Sequence, residues 1–335
     1  MNNEKKILLS ILPYWDPMIP PNGIAQLKSF LQKHGFQVKT VDVIIEETFQ
    51  NIYKNYFESL KRMIPQTHWG NFYNLGHDVL QTHMMAHMNY TNEDDYIDLV
   101  KRLVYHTYYF EVPPGTIREL IQIINHFYSA LQDYLIQLLE AEKPSVAGFT
   151  AYRATLPATI FACRLIKKKY PAIRTVIGGG IFVDTCAVGT RNFELFLQHT
   201  EDCIDTMIIG QGDLLFLKYL RGELPGAKRY YTRQDIQGEI LGFDQIELPD
   251  FSDFDLDRYN YLPAAASASC PHGCSFCSSK QYYGEFREKD VQQTAREMLT
   301  MHKNYGHQLF FMTDSLLNTV ITRLSRELCA AEASV

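Results

Sequence analysis

The sequence predicts an α/β protein in two parts, a doubly wound parallel sheet with a helical insertion and then the opening of a second α/β domain. Three observations carry this. A β-α-β unit fills residues 6–43, glycine turns follow two later apolar runs, and a β-loop-α-β-α pattern fills residues 263–331.

In chain order, residues 6–12 form the short apolar run of a strand buried on both faces. A proline-rich loop from Pro13 to Gly23 leads into helical spacing over 24–31, Gly35 closes that helix, and residues 37–43 form the next strand. From about 46 to 142 the rhythm breaks into a stretch rich in Tyr, His, Met and Leu, with helical periodicity over 116–140, which reads as a helical insertion. Its histidines (68, 77, 83, 87, 106 and 126) are irregularly spaced. His83 and His87 stand i, i+4 without the carboxylate of a zinc-protease pattern, so packing or solvation explains them better than a metal. Tyr105, Tyr108, Tyr109 and Phe110, and the methionines at 84, 85 and 88, read as helix-packing residues.

The sheet resumes with a strand over 145–150 that ends at Thr150, and a helix over 157–170. A strand then runs into Gly178, Gly179 and Gly180, and another, starting at Met207, into Gly210 and Gly212, followed by a helix over 214–221. Such turns bring backbone close to a ligand in doubly wound, Rossmann-like folds, and glycine also serves ordinary turns. The expected boundaries are residues 1–222 for the first domain, 223–262 for a linker with short strands, and 263–335 for the second unit. There, 263–269 is a strand, 289–304 a helix, 308–313 a strand and 316–331 a helix.

The chain has 335 residues, enough for two hydrophobic cores, and ordinary contents of 46% hydrophobic and 21% charged residues. Its net charge of −6 offers no basic footprint, so nucleic acid is not an expected partner. No apolar run approaches the roughly 20 residues of a membrane span, and the first residues lack a cleavage-site pattern. Seven cysteines, an odd number with three clustered, favour metal binding over a disulfide framework and a cytoplasmic setting.

Those three are Cys270, Cys274 and Cys277, in the run Cys-Pro-His-Gly-Cys-Ser-Phe-Cys. Three thiolates on one tight loop suit three irons of a [4Fe–4S] cluster and leave the fourth iron open. A structural zinc site wants four ligands, and the fourth here is either His272 or the remote Cys329. A cluster used only for electron transfer also wants a fourth ligand, and no further cysteine lies close in sequence. Cys163, Cys186 and Cys203 stand singly in the first domain and read as packed thiols.

The C-x3-C-x2-C run, with Phe276 before its last cysteine, resembles the signature of radical S-adenosylmethionine enzymes. The resemblance implies that the second unit starts a partial (β/α) TIM-like barrel and that Cys270, Cys274 and Cys277 ligate a [4Fe–4S] cluster. It implies that the open iron holds S-adenosylmethionine, Phe276 packs near the adenine, and Asp314 and Ser315 approach the methionine end. The first domain looks like the cobalamin-binding domain of one large branch of the family, through residues 20–27, 34–38, 178–180 and 210–213. Thr150, Gly178, Gly179, Gly180, Gly210 and Gly212 are then the candidate cobalamin contacts. The D-x-H-x-x-G motif of histidine-ligated cobalamin is absent, with Tyr-Trp-Asp-Pro-Met at 14–18 in its place. The expected chemistry is methyl transfer to an unreactive carbon, with radical oxidation or cyclisation without cobalamin, or a non-catalytic cluster- or corrinoid-binding fragment, as alternatives. A one-electron donor of the flavodoxin or ferredoxin kind is the expected partner, and the substrate is not named by the sequence. Only two β/α units follow the linker, so the chain is expected to be a piece of a longer enzyme.

Overall fold

The computed structural model describes residues 6–13, 18–183, 185–277 and 284–332. The stretch at 14–17 that replaces the cobalt-ligating motif, and the last residues of the second unit, lie outside them. Six parallel strands form the first sheet in the order β2-β1-β3-β4-β5-β6. They are β1 Lys6–Ile11, β2 Gln37–Asp42, β3 Val146–Thr150, β4 Arg174–Gly178, β5 Thr206–Ile209 and β6 Tyr230–Thr232. Ile7 lies between Val38 and Val146 in register, and Ile11 between Asp42 and Thr150. Strand β1 is buried on both faces by alternation: Ile7, Leu9 and Ile11 enter one core, Leu8 the other. The order reverses between β1 and β3, which places the ligand crevice of such a sheet outside the carboxyl ends of those strands.

Helices α1 Asn22–Lys33 and, late in the domain, α8 Gly212–Arg221 cover one face. The other face carries α2 Glu47–Met63, α3 Phe72–His87, α4 Glu93–Tyr108, α5 Pro114–Glu142, α6 Leu156–Lys169 and α7 Arg191–His199. The expected insertion is therefore the four helices α2 to α5. Asn92 caps α4 by accepting from the Asp95 N–H at 3.1 Å, and Glu93, Asp94 and Asp95 favour its positive end. The insertion is held by aromatic packing, with Phe72 stacked on Tyr108 and Tyr53 on Phe127.

Two of the four aromatics expected to pack do not. Tyr105 is 43% and Tyr109 75% exposed, because Tyr108 takes the core-facing position, Tyr109 is the left-handed cap of α4 (φ 52°), and Phe110 packs half-buried beyond it. His83 is buried with its Nδ1 2.8 Å from the Tyr56 hydroxyl, and burial lowers its pKa to about 3, so it stays neutral. His87 lies 3.3 Å from the Tyr96 hydroxyl and stacks on Tyr128. The packed reading of these histidines stands.

Within the stretch expected as linker, β6 joins the first sheet beside β5. Residues 247–259 then run back along α1 and β2. The Lys28 ammonium, 3% exposed as a residue, is held at 2.9 Å by both Asp250 and Asp253 and donates to Ser252 Oγ at 2.8 Å. Asp253 also accepts from Lys39 at 2.8 Å and from the Thr40 N–H and hydroxyl at 2.9 and 3.0 Å. Burial raises the Asp253 carboxyl, but hydrogen bonds from Lys39, Lys28 and Thr40 outweigh it and bring its pKa to about 2. A depressed folded-state pKa adds stability above the unfolded value near 4, lost as pH falls from there towards 2. Asp253→Ala is expected to cost about 3 kcal/mol, since it leaves a buried ammonium half-paired and the Thr40 N–H without its acceptor. Urea unfolding at pH 7 and pH 3 checks this: the gap between variant and wild type should narrow at pH 3. An equal gap at both would exclude the charge as its cause.

The second unit begins with β7 Leu262–Ala264 and continues with β8 Ser267–Ala268, β9 Arg287–Glu288, α9 Val291–Tyr305, β10 Phe310–Met312 and α10 Ile321–Glu332. Strands β7 and β10 pair in parallel, Phe310 opposite Leu262, with α9 between them in sequence: a β/α unit. Asp290 caps α9 by accepting from the Gln292 N–H at 3.0 Å. Val291, Ala295, Met298 and Met301 of α9 share the core of α1 and α8, so the second unit is built onto one face of the first. No helix among the described residues is long and apolar enough to cross a membrane.

Candidate iron–sulfur and cofactor site

Strand β7 delivers the chain to the cysteine run. The Thr313 N–H donates to the Ala264 carbonyl at 2.8 Å, and the Lys289 N–H to the Ala266 carbonyl at 2.8 Å, so both neighbouring segments hold the approach. Strand β8 pairs antiparallel with β9, Ala268 opposite Arg287, which closes the run into a hairpin-like loop. Cys270 is half-buried; Cys274 and Cys277 are exposed, and the Cys277 N–H donates to the Cys274 carbonyl at 3.0 Å in a tight turn. Among the described residues no three His, Cys, Asp or Glu side chains converge on a metal position. The three thiols therefore share one loop without their sulfurs being gathered; in such sites ligation and loop folding are coupled.

The donor set suits a cluster. Cys274 and Cys277 are accessible on one short turn with Cys270 at its base. The remaining cysteines are poor ligands: burial pushes the Cys163 thiol well up and the Cys203 thiol up to about 12, Cys186 is buried, and Cys329 lies exposed on α10. Phe276 is 92% exposed. The Asp314 carboxylate accepts from the Ala266 N–H at 3.1 and 3.2 Å and from the Ser267 hydroxyl at 2.5 Å, while Ser315 is exposed beside it. Both Asp314 oxygens thus bind the chain just before the cysteines.

The candidate cobalamin contacts lie at the carboxyl ends of β3, β4 and β5. The Ala151 N–H donates to the Gly178 carbonyl at 2.8 Å and the Ile181 N–H to the Ala151 carbonyl at 2.9 Å, which clamps the turns after β3 and β4 together beside the half-buried Thr150. A Cβ on Gly179 would stand 2.8 Å from the Ala151 carbonyl oxygen, and one on Gly180 would stand 2.7 Å from the Tyr152 ring. The chain itself uses that room. At Gly210 (φ +106°) a Cβ would meet nothing within 4 Å, so the turn after β5 is open where the turn after β4 is filled by the chain. The two sequence motifs at 20–27 and 210–213 meet there: Gln26 donates to Asp213 at 3.1 Å, and Leu27 packs on Gly212. Burial raises the Asp213 carboxyl against that hydrogen bond. Gln26 and Asp213 lie inside the motifs at 20–27 and 210–213, whereas no sequence pattern marks Tyr152.

The chain shares its fold with two solved structures of larger proteins. It is similar to the radical S-adenosylmethionine methyltransferase TsrM from Kitasatospora setae, in a structure with tryptophan substrate and aza-SAM (TM-score 0.54, 13% identity, 97% of this chain and 50% of that one). It is also similar to the cobalamin-dependent S-adenosylmethionine radical enzyme OxsB with aqua-cobalamin bound (TM-score 0.51, 13% identity, 98% of this chain and 37% of that one). By sequence it is 30% identical over 189 residues to an anaerobic magnesium-protoporphyrin IX monomethyl ester cyclase from Synechocystis sp., covering 50% of this chain and 36% of the cyclase. The cyclase of Rubrivivax gelatinosus is 23% identical over 206 residues, 55% of this chain and 36% of that protein. No family model matches. The matches thus span about a third of the curated cyclases, and the chain half or less of these two solved structures.

Proposed function

We propose that this chain takes part in radical S-adenosylmethionine chemistry, with Cys270, Cys274 and Cys277 holding a [4Fe–4S] cluster and the first domain holding a cobalamin for methyl transfer to an unreactive carbon. The observation that carries the reading is the cysteine loop itself: its thiols follow the first strand of a β/α unit, and the carboxyl end of the second strand lies against their approach. When bound, the cluster supplies the electron that breaks the S-adenosylmethionine sulfonium into methionine and a 5′-deoxyadenosyl radical, and that electron comes from a flavodoxin- or ferredoxin-like donor. The chain's own residues orient and exclude water. Asp314 fixes the strand end beneath the cluster loop, Phe276 stands ready to cover an adenine face, and Gly210 keeps the turn after β5 free of a side chain. A cytoplasmic setting keeps the accessible thiols reduced.

A second reading is radical oxidation or cyclisation without cobalamin; the sequence match to the cyclases favours its cyclisation and does not bear on its cofactor. Anaerobic reconstitution with iron and sulfide should yield about four irons per chain. Reduction with dithionite in the presence of S-adenosylmethionine should then release 5′-deoxyadenosine. A loaded chain that releases none is a binding module, and one that takes up no iron ends the proposal. Titration with hydroxocobalamin separates the two radical readings: a shift of its visible spectrum on binding supports methyl transfer.

A further inference from the structure

Ser269, immediately before Cys270, has a positive φ of 68°, which non-glycine residues adopt at a cost. It is only 3% exposed, and its hydroxyl donates to the Gly284 carbonyl at 2.7 Å. Gly284 is the first described residue beyond the loop and itself has φ +78°. Below this contact the β8–β9 ladder pairs Ala268 with Arg287 and Ser267 with Glu288. The side-chain bond therefore adds one rung at the base of the cysteine loop, where the backbone ladder has stopped. Arg287 braces the same base by donating to the Leu241 carbonyl at 3.0 Å, and Asp314 anchors Ser267 from the β10 side.

We propose that Ser269 is a positioning residue whose hydroxyl joins the two ends of the cysteine loop and sets where Cys270 stands before any metal arrives. The left-handed backbone turns the chain out of the strand at the first cysteine, and the hydroxyl holds that turn against the returning segment. This rests on the reading of Cys270, Cys274 and Cys277 as cluster ligands. Its structural half, a loop shut by one side chain, is testable without metal.

The test compares wild type with Ser269→Ala, which keeps a Cβ under the same backbone strain and removes only the hydroxyl. Loop opening in the apo chain is read by amide hydrogen exchange across the β8–β9 ladder, residues 267–268 and 287–288, and global stability by the thermal midpoint. Exchange there is expected to quicken about fivefold, the weight of one net hydrogen bond, with the midpoint unchanged. In the reconstituted protein a strong chelator should strip iron about fivefold faster from the variant. Exchange at the wild-type rate, or exchange that quickens only in step with a lower midpoint, overturns the proposal. So does equal iron loss from both loaded proteins. If wild type takes up no iron the cluster reading fails, and the exchange of the β8–β9 ladder alone decides whether the hydroxyl holds the base of the loop.

Discussion

Replacing any one of Cys270, Cys274 or Cys277 by alanine is expected to lower reconstituted iron from about four per chain to near zero, while Cys329→Ala leaves it unchanged. The argument rests on which thiols are able to become ligands. A thiolate is the ligating form, and burial in apolar surroundings suppresses it. Cys163 and Cys203 are held protonated by burial in the first core, and Cys186 is buried there as well. None of them can stand in for a lost loop cysteine without the core opening. Cys329 is accessible but sits on α10, outside the loop. On the proposed ligation, two loop thiolates would leave a cluster without a third of its protein ligands and without the constraint that keeps one iron open. Iron and sulfide analysis with the visible spectrum reads the outcome, and circular dichroism shows that each variant has folded. A single variant that keeps its full iron would bring His272 or Cys329 back as a ligand and revive the zinc-like alternative.

Much of the first sheet was legible because each strand carries its own short apolar run and each crossover its own helical period. Residues 6–12 and 37–43 became β1 and β2, and 46–142 became four helices without a strand. Strand β6 was harder to see, since Tyr-Tyr-Thr is too short for periodicity and pairs only because β5 offers an edge. The ties of Lys28 and Lys39 to Asp253 join residues more than two hundred positions apart, and no local pattern announces them. In the candidate site, the cysteine spacing was legible because ligands on one loop leave a sequence signature. Ser269 was not, because a serine in left-handed backbone looks like any other serine. Asp314 drew attention as a polar residue after a strand. Its engagement with Ala266 and Ser267 depends on the β7–β10 register, which sequence does not state.

Gly179→Ala is expected to lower stability by about 3–4 kcal/mol, more than any other glycine replacement at the strand ends. Two effects add at this residue. Its backbone, at φ 102° and ψ −173°, lies in a region that is essentially closed to residues with a Cβ. An added Cβ would also stand 2.8 and 2.9 Å from the backbone oxygen and nitrogen of Ala151, atoms that are fully buried and bonded to Gly178 and Ile181. A flexible side chain could move aside, but this backbone cannot without breaking the bonds that clamp the turns after β3 and β4. Gly210→Ala is the comparison: it has a similar φ of +106° with nothing within 4 Å of the new atom, so only the backbone term of about 1–2 kcal/mol applies. Urea unfolding at constant m-value separates the two, and a Gly179→Ala protein within 1 kcal/mol of wild type would show that the clamp yields. The same pair bears on the cofactor. Because Gly179 serves the chain and Gly210 faces open space, the folded Gly210→Ala protein is the one in which weakened hydroxocobalamin binding reports on contact with the ligand, and the loss in Gly179→Ala reports on the architecture that frames it.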